Sequence, residues 1–198
     1  TLITYHEPYA SSASELITEM LQYVDGAELK KSEAEAMYAG ILVDTKNLVF
    51  KTGRRTFAAA AFLRGQNVDT VTVRKYTQPD LDTFRHIANV TKNAKIFENR
   101  IAISRASEQL ANSDLVISIA ADQMLNVLGI EASFVLYKFD DGSVKITARS
   151  LGEINVQVIM SRLGGGGHLT AAATVIKNAA SLDSVEKSLT DQIKAYLD

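Results

Sequence analysis

The residues with the greatest chemical potential in this chain fall in one short stretch, Leu163-Gly164-Gly165-Gly166-Gly167-His168. Consecutive glycines widen the conformational freedom of the unfolded chain. A compact domain therefore keeps them where φ is positive or where backbone or ligand comes too close for a Cβ. Successive N–H groups in such a loop can form a nest for phosphate oxygens, and an imidazole at its end can add a hydrogen bond or a proton. The same stretch also suits a tight helix cap and turn followed by a solvated histidine. Its spacing matches neither the dinucleotide fingerprint nor the P-loop, so both readings stand. Arg149-Ser150 closes a strand-like segment shortly upstream. A strand-end arginine can grip phosphate or carboxylate with two parallel donors, and a shared rim with a glycine nest favours that role over an ordinary surface position.

Asp44, in Gly40-Ile-Leu-Val-Asp-Thr-Lys46, follows an apolar run that should carry it into or beside the core, at the C-terminal end of a helix. A carboxylate there opposes the helix dipole and needs a cation, a hydrogen bond or solvent to offset it. It reads as either a metal ligand or a hydrogen-bonded structural acid. No H-x-D, H-E-x-x-H or D-H-H pattern accompanies it, and the three histidines are far apart in sequence. By itself the chain should not hold two catalytic metals. His6 and His86 read as surface residues, and Arg54-Arg55 as a solvated helix start.

The elements that must position these groups are bounded by composition. A chain of 198 residues buries roughly 70% of its unfolded surface on folding and needs no metal or disulfide to do so. Hydrophobic residues at 46% and charged residues at 22% exclude a disordered or low-complexity chain. The absence of cysteine removes thiolate metal sites and thiol nucleophiles. A formal charge of −2 provides no global field for nucleic acid or an anionic membrane, so any phosphate binding must be local. The longest apolar runs are too short to span a bilayer. The opening Thr1-Leu2-Ile3-Thr4 has no initiator methionine and no leader pattern, so the chain reads as a piece of a longer one.

Pro8 and Pro79 each precede a helical pattern. Capping boxes at Ser12–Glu15 and Ser32–Glu35 introduce two helices: Leu16, Ile17, Met20, Leu21 and Val24 recur at helical spacing in the first, and Ala36, Met37, Gly40, Ile41, Leu42 and Val43 make the second largely buried. Thr56–Leu63, ended by Gly65, predicts a third. Pro79-Asp80 opens an amphipathic connector helix, and a boundary falls near residue 78. Beyond it the texture becomes β-rich: one strand over Ile96–Ile103, then Ser133–Phe139 and Val144–Arg149 joined by the hairpin signal Asp141-Gly142. A helix capped by Asp114 and closed by Gly129, a short helix over Asn155–Leu163, a strand over Ala171–Ile176 and a final helix over Ser181–Leu197 complete an α+β second lobe.

Three dispersed segments, Tyr5–Glu15, Gly40–Lys46 and Ala148–Ser150 with Gly164–His168, together resemble the DHH phosphoesterase family. They are most similar to the C-terminal part of its GdpP-type cyclic-di-AMP phosphodiesterases, and the likeness covers essentially the whole chain. The resemblance implies a two-lobed α/β fold. Residues 1–78 would be the truncated, helical end of a DHH domain, 79–95 a linker helix, and 96–198 a DHH-associated substrate-binding domain with a mixed sheet. Substrate would bind between the lobes.

The family holds a pair of manganese ions with several acidic and histidine motifs, of which this chain has only the aspartate of the V-D-T-K segment, Asp44. The resemblance therefore implies an inactive fragment of a manganese-dependent hydrolase that converts cyclic-di-AMP to pApA. Gly164, Gly165, Gly166, Gly167, His168, Arg149 and Ser150 would bind the nucleotide phosphate. It also implies a cytoplasmic-side location, membrane anchoring through helices outside this chain, and a homodimeric parent. Related members act on short RNA or bisphosphate nucleotides, and a non-catalytic RNA- or nucleotide-binding module is the competing reading.

Overall fold

The structure, a computed structural model, describes residues 4–26, 28–106, 110 and 112–198. Among them it contains eight helices and six strands, and the chain divides into two compact units at Gln78/Pro79. This is a two-unit α/β protein.

The first unit holds α1 (Ala13–Leu21), α2 (Lys31–Asp44), α3 (Arg54–Gly65) and α4 (Thr70–Tyr76) around a core that includes Ala34, Ile41, Ala59, Leu63, Val68 and Val73. Ser12 caps α1, its hydroxyl accepting from the Glu15 amide at 3.0 Å. The expected reciprocal bond is displaced by one residue: the Glu15 carboxylate accepts from the amide and hydroxyl of Ser11. Ile17, Met20 and Val24, which recur at helical spacing, are 49%, 41% and 56% exposed. The second box is also shifted. Lys30 is the cap residue and its amide donates to Glu33 at 2.9 Å, which frees Glu35 to turn inward, where it accepts from the Tyr76 hydroxyl and the Asp69 amide. At Gly40 a Cβ would strike the Ser14 hydroxyl, so α1 and α2 pack through the glycine. Helix α4 escapes the sequence pattern because Thr70-Val71-Thr72-Val73 is β-branched. Asp69 caps it and burial of Val73 overrides the weak propensity.

The second unit is built on a sheet whose strands lie in the order β1 (Lys95–Phe97), β2 (Ile101–Ala106), β3 (Ala132–Lys138), β4 (Val144–Ser150), β6 (Ala171–Ile176) and β5 (Gly166–His168), in which β2 and β3 run parallel and every other pair antiparallel. The single strand expected over Ile96–Ile103 is two, β1 (Lys95–Phe97) and β2 (Ile101–Ala106). Glu98 and Asn99 between them both adopt positive φ (49° and 58°), which suits a tight turn between antiparallel strands. The Asp141-Gly142 hairpin joins β3 to β4 (Val144–Ser150) as its sequence demands, with Asp141 accepting from the Ser143 amide at 2.8 Å.

One face of the sheet is covered by α5 (Leu81–Lys92) and α6 (Ser113–Met124), through Ile87, Val116, Ile117 and Ala120 against Ala102, Val135 and Tyr137. The helix read as a linker thus lays Ile87 and Val90 into the core of this unit. The opposite face is covered by α7 (Val156–Arg162) and α8 (Leu182–Leu197), through Ile159, Met160, Leu189 and Ile193 against Phe134, Leu136 and Ile146. Because both faces are covered, β3 is buried at every position but its last. Asp114, expected to cap α6, lies inside its first turn and pairs with Lys145 at 2.7 Å; Asn112 in a left-handed conformation precedes the helix. No helix among the described residues is long and apolar enough to cross a membrane.

Candidate functional site

The glycine run is a helix cap followed by an edge strand. Gly164 takes φ 79° after α7, its amide donates to Ser161 O at 3.0 Å, and the Gly165 amide donates to Met160 O at 2.9 Å. This double closure is the Schellman arrangement and consumes two of the N–H groups expected in a phosphate nest. Gly166–His168 then form β5, antiparallel to β6 (Ala171–Ile176), at the end of the sheet. A Cβ on Gly165 would collide with Ala173 O and the Thr174 backbone, and one on Gly167 (φ 146°) would lie 2.5 Å from Ala171 O and Ala172 Cα. Three glycines are therefore demanded by the fold. Gly166 is not: a Cβ there meets nothing within 4 Å.

Strand register brings the distant candidates together. Ser133 pairs with Arg149, Arg149 with Ala171, and Ala171 with His168, so one transverse row crosses β3, β4, β6 and β5. Paired residues point to the same face, so Arg149 and His168 project together, two strand spacings or about 10 Å apart, with only the Ala171 methyl between them. The neighbouring row, Val135, Thr147, Ala173 and Gly166, continues this floor of small residues. Thr147 is 2% exposed, and its hydroxyl has no hydrogen-bond partner among the described residues.

The Arg149 side chain is 18% exposed; its Nε lies 3.3 Å from Asp122 Oδ1 on α6, and its Nη1 donates to Ala148 O at 3.0 Å. His168 is exposed. Ser150, expected with Arg149 to bind phosphate, does not share its face. It is 1% exposed on the opposite face from Arg149, its amide donating to Thr170 O at 3.0 Å and its hydroxyl to Leu169 O at 3.3 Å. Ser150 holds the segment that follows His168.

Asp44 is the last residue of α2, as expected, but it is exposed rather than carried into the core. The helical turn buries Ile41 and Thr45 instead, and the Thr45 hydroxyl donates to Ile41 O at 2.6 Å. No cluster of three or more His, Asp or Glu side chains able to hold a metal occurs among the described residues. One exposed carboxylate is not a manganese site, so the residues of this chain do not by themselves fit the metal pair the resemblance implies.

Arg55 is no solvated helix end. Its Nε donates to Glu19 at 2.7 Å, Nη1 to Glu7 at 2.9 Å and Nη2 to the Tyr5 hydroxyl at 3.1 Å, which ties the N-terminal segment to α1 and α3. These hydrogen bonds raise the guanidinium pKa further and, against partial burial, hold the Glu19 carboxyl below the ordinary glutamate range. A lowered folded pKa contributes stability that is complete above the unfolded value and lost as pH falls through the folded one. Acid melts of the wild type should therefore show a loss of stability below the ordinary glutamate range that is reduced in Glu19→Gln. Identical acid limbs would remove Glu19 as a source of that dependence. Neither this hub nor Asp122 was marked by the sequence, since the partners are 36 and 27 positions apart.

Residues 98–195 match the DHHA1 domain. The whole chain is 44% identical to the cyclic-di-AMP phosphodiesterase GdpP of Geobacillus thermodenitrificans, an alignment spanning 30% of that protein. It is 43% identical to the cyclic-di-AMP phosphodiesterase PdeA of Listeria monocytogenes, over 98% of this chain and 30% of that one. An exopolyphosphatase-related protein of Bacteroides fragilis shares the fold, with a TM-score of 0.87 over 98% of this chain and 59% of that chain at 19% identity.

The mixed sheet that ends in a glycine edge strand is thus a DHHA1 domain. The chain belongs to the DHH phosphoesterase family, with GdpP-type proteins among its relatives, and spans about 30% of the length of the curated relatives it matches.

Proposed function

We propose that this chain is the phosphate-gripping part of a phosphodiesterase that hydrolyses cyclic-di-AMP to pApA, with the small-residue face between Arg149 and His168 as the contact surface. The observation that carries this reading is the sheet row in which these two cationic or proton-donating groups flank Ala171 on one face. Arg149 supplies a fixed positive charge and planar donors, His168 a hydrogen bond from the rim, and the floor of Ala171, Ala173 and Gly166 lets a ligand lie against the sheet. Within the run of four, Gly166 is the glycine with no internal reason to lack a side chain, which fits close approach from outside. Asp44 would add one carboxylate to a manganese set whose other donors lie outside this chain. The isolated chain would then bind without hydrolysing.

Calorimetric titration with cyclic-di-AMP, pApA and an unrelated short RNA tests the reading. The expected result is adenine-dinucleotide binding that weakens about tenfold in His168→Ala, the loss of one charge-assisted contact. RNA binding alone would favour a nucleic-acid-binding module, and dinucleotide affinity unchanged in the variant would detach His168 from the ligand.

A further inference from the structure

We infer that Asp122 on α6 is a positioning residue, which holds the Arg149 guanidinium ready to meet the phosphate; the inference rests on the function proposed above. An arginine on a flexible stem loses rotamer freedom when it grips an anion, and that loss weakens binding unless the folded protein has already fixed the side chain. Here the guanidinium has both an ion pair and a hydrogen bond before any ligand arrives. Nε faces Asp122 Oδ1 at 3.3 Å and Nη1 donates to Ala148 O at 3.0 Å. Both side chains are mostly buried, at 18% and 25% exposed, so solvent screens the pair less than it would at the surface.

The carboxylate is itself held in place. Ala121, its neighbour on α6, is fully buried, and its carbonyl accepts from the Ser133 hydroxyl at 2.7 Å. Ser133 stands beside Arg149 in the same sheet row. The first turn of the helix is fastened to β4 through Asp114 and Lys145. Asp122 therefore projects from a segment anchored to the strand pair that carries Arg149.

Charge and geometry predict opposite signs, which makes the inference testable. As a bystander, Asp122 would only repel the phosphate, and its removal should tighten binding. As a positioning residue its removal should weaken binding.

The test is titration of the 198-residue chain with pApA in wild type, Asp122→Ala, Asp122→Asn, Arg149→Ala and the Asp122→Ala/Arg149→Ala pair. Asp122→Ala is expected to weaken binding about tenfold, with no further loss when Arg149 is already absent. Asp122→Asn removes the charge that faces Nε while keeping the side chain's size, and is expected to weaken binding as Asp122→Ala does. In the same samples the Arg149 Nε–H resonance should exchange faster with water in both Asp122 variants than in wild type.

Equal or tighter binding by Asp122→Ala overturns the inference, as does an equal loss in the Arg149→Ala background. Absence of pApA binding by the wild type, or its survival in Arg149→Ala, defeats the phosphate-gripping reading, and the inference with it. That failure is read without any Asp122 variant.

Discussion

Gly165→Ala is expected to destabilise the second unit by about 3 kcal/mol or more, the upper end of the cost of overpacking, because the new methyl meets backbone that cannot move aside. Its Cβ would collide with Ala173 O and with the Cα and Cβ of Thr174, all on β6, which is already paired with β4 along its length. Relief would require parting β5 from β6 or unwinding the end of α7, where the Gly165 amide closes the helix on Met160 O. The melting temperature should fall on the order of 10 °C.

Gly166→Ala is the informative contrast. Its Cβ meets nothing within 4 Å and its φ lies outside the left-handed region, so stability should hold or rise slightly as the unfolded chain loses freedom. Yet position 166 shares a row with Ala173 and Thr147 on the Arg149 face, and a methyl there would stand on the floor proposed for the ligand. Thermal melts paired with pApA titration should show Gly165→Ala failing as a fold and Gly166→Ala failing as a binder. A Gly166→Ala chain that binds like wild type would move the ligand off this face.

Arg149→Ala is expected to weaken dinucleotide binding by about tenfold to a hundredfold, the range for losing charged hydrogen bonds to a phosphate. Arg149→Lys should recover little of it. An ammonium is a point charge without the planar fork, and it cannot at once reach Asp122, the Ala148 carbonyl and a ligand, as a guanidinium can. Full recovery by lysine would mean that the site reads net charge alone. Unchanged circular dichroism and melting in both variants would assign the loss to the ligand contact, since the arginine is packed on α6 and its removal could otherwise act through the fold.

The elements legible in the sequence are those whose cause is local. Asp141-Gly142 forms its hairpin because a turn needs the Asx contact to Ser143 and a glycine at φ 81°. Ser181 caps α8, its hydroxyl accepting from Ser184 at 3.0 Å, and Val185, Leu189 and Ile193 recur at helical spacing on the buried side. Asp80 does the same for α5. Local pattern and structure part where a distant contact outweighs the local preference. Helix α4 forms from a β-branched segment because Val73 is buried, and the helix register of α2 sends Glu35 inward to Tyr76 while it leaves Asp44 outside.

The site divides the same way. Residue types alone marked the glycine run, His168, Arg149 and Asp44 as the groups able to do chemistry, and the motifs that contain them carried the family, because glycine, arginine and carboxylate have properties that do not depend on their neighbours. Tertiary structure decided which of them share a face. Strand register across β4, β6 and β5 sets Arg149 and His168 on one face, tight packing against β6 claims Gly165 and Gly167 for the fold, and α6 brings Asp122 to the arginine. Register and helix packing are fixed by the sum of many buried contacts far apart in the chain, and no short stretch of sequence contains that sum.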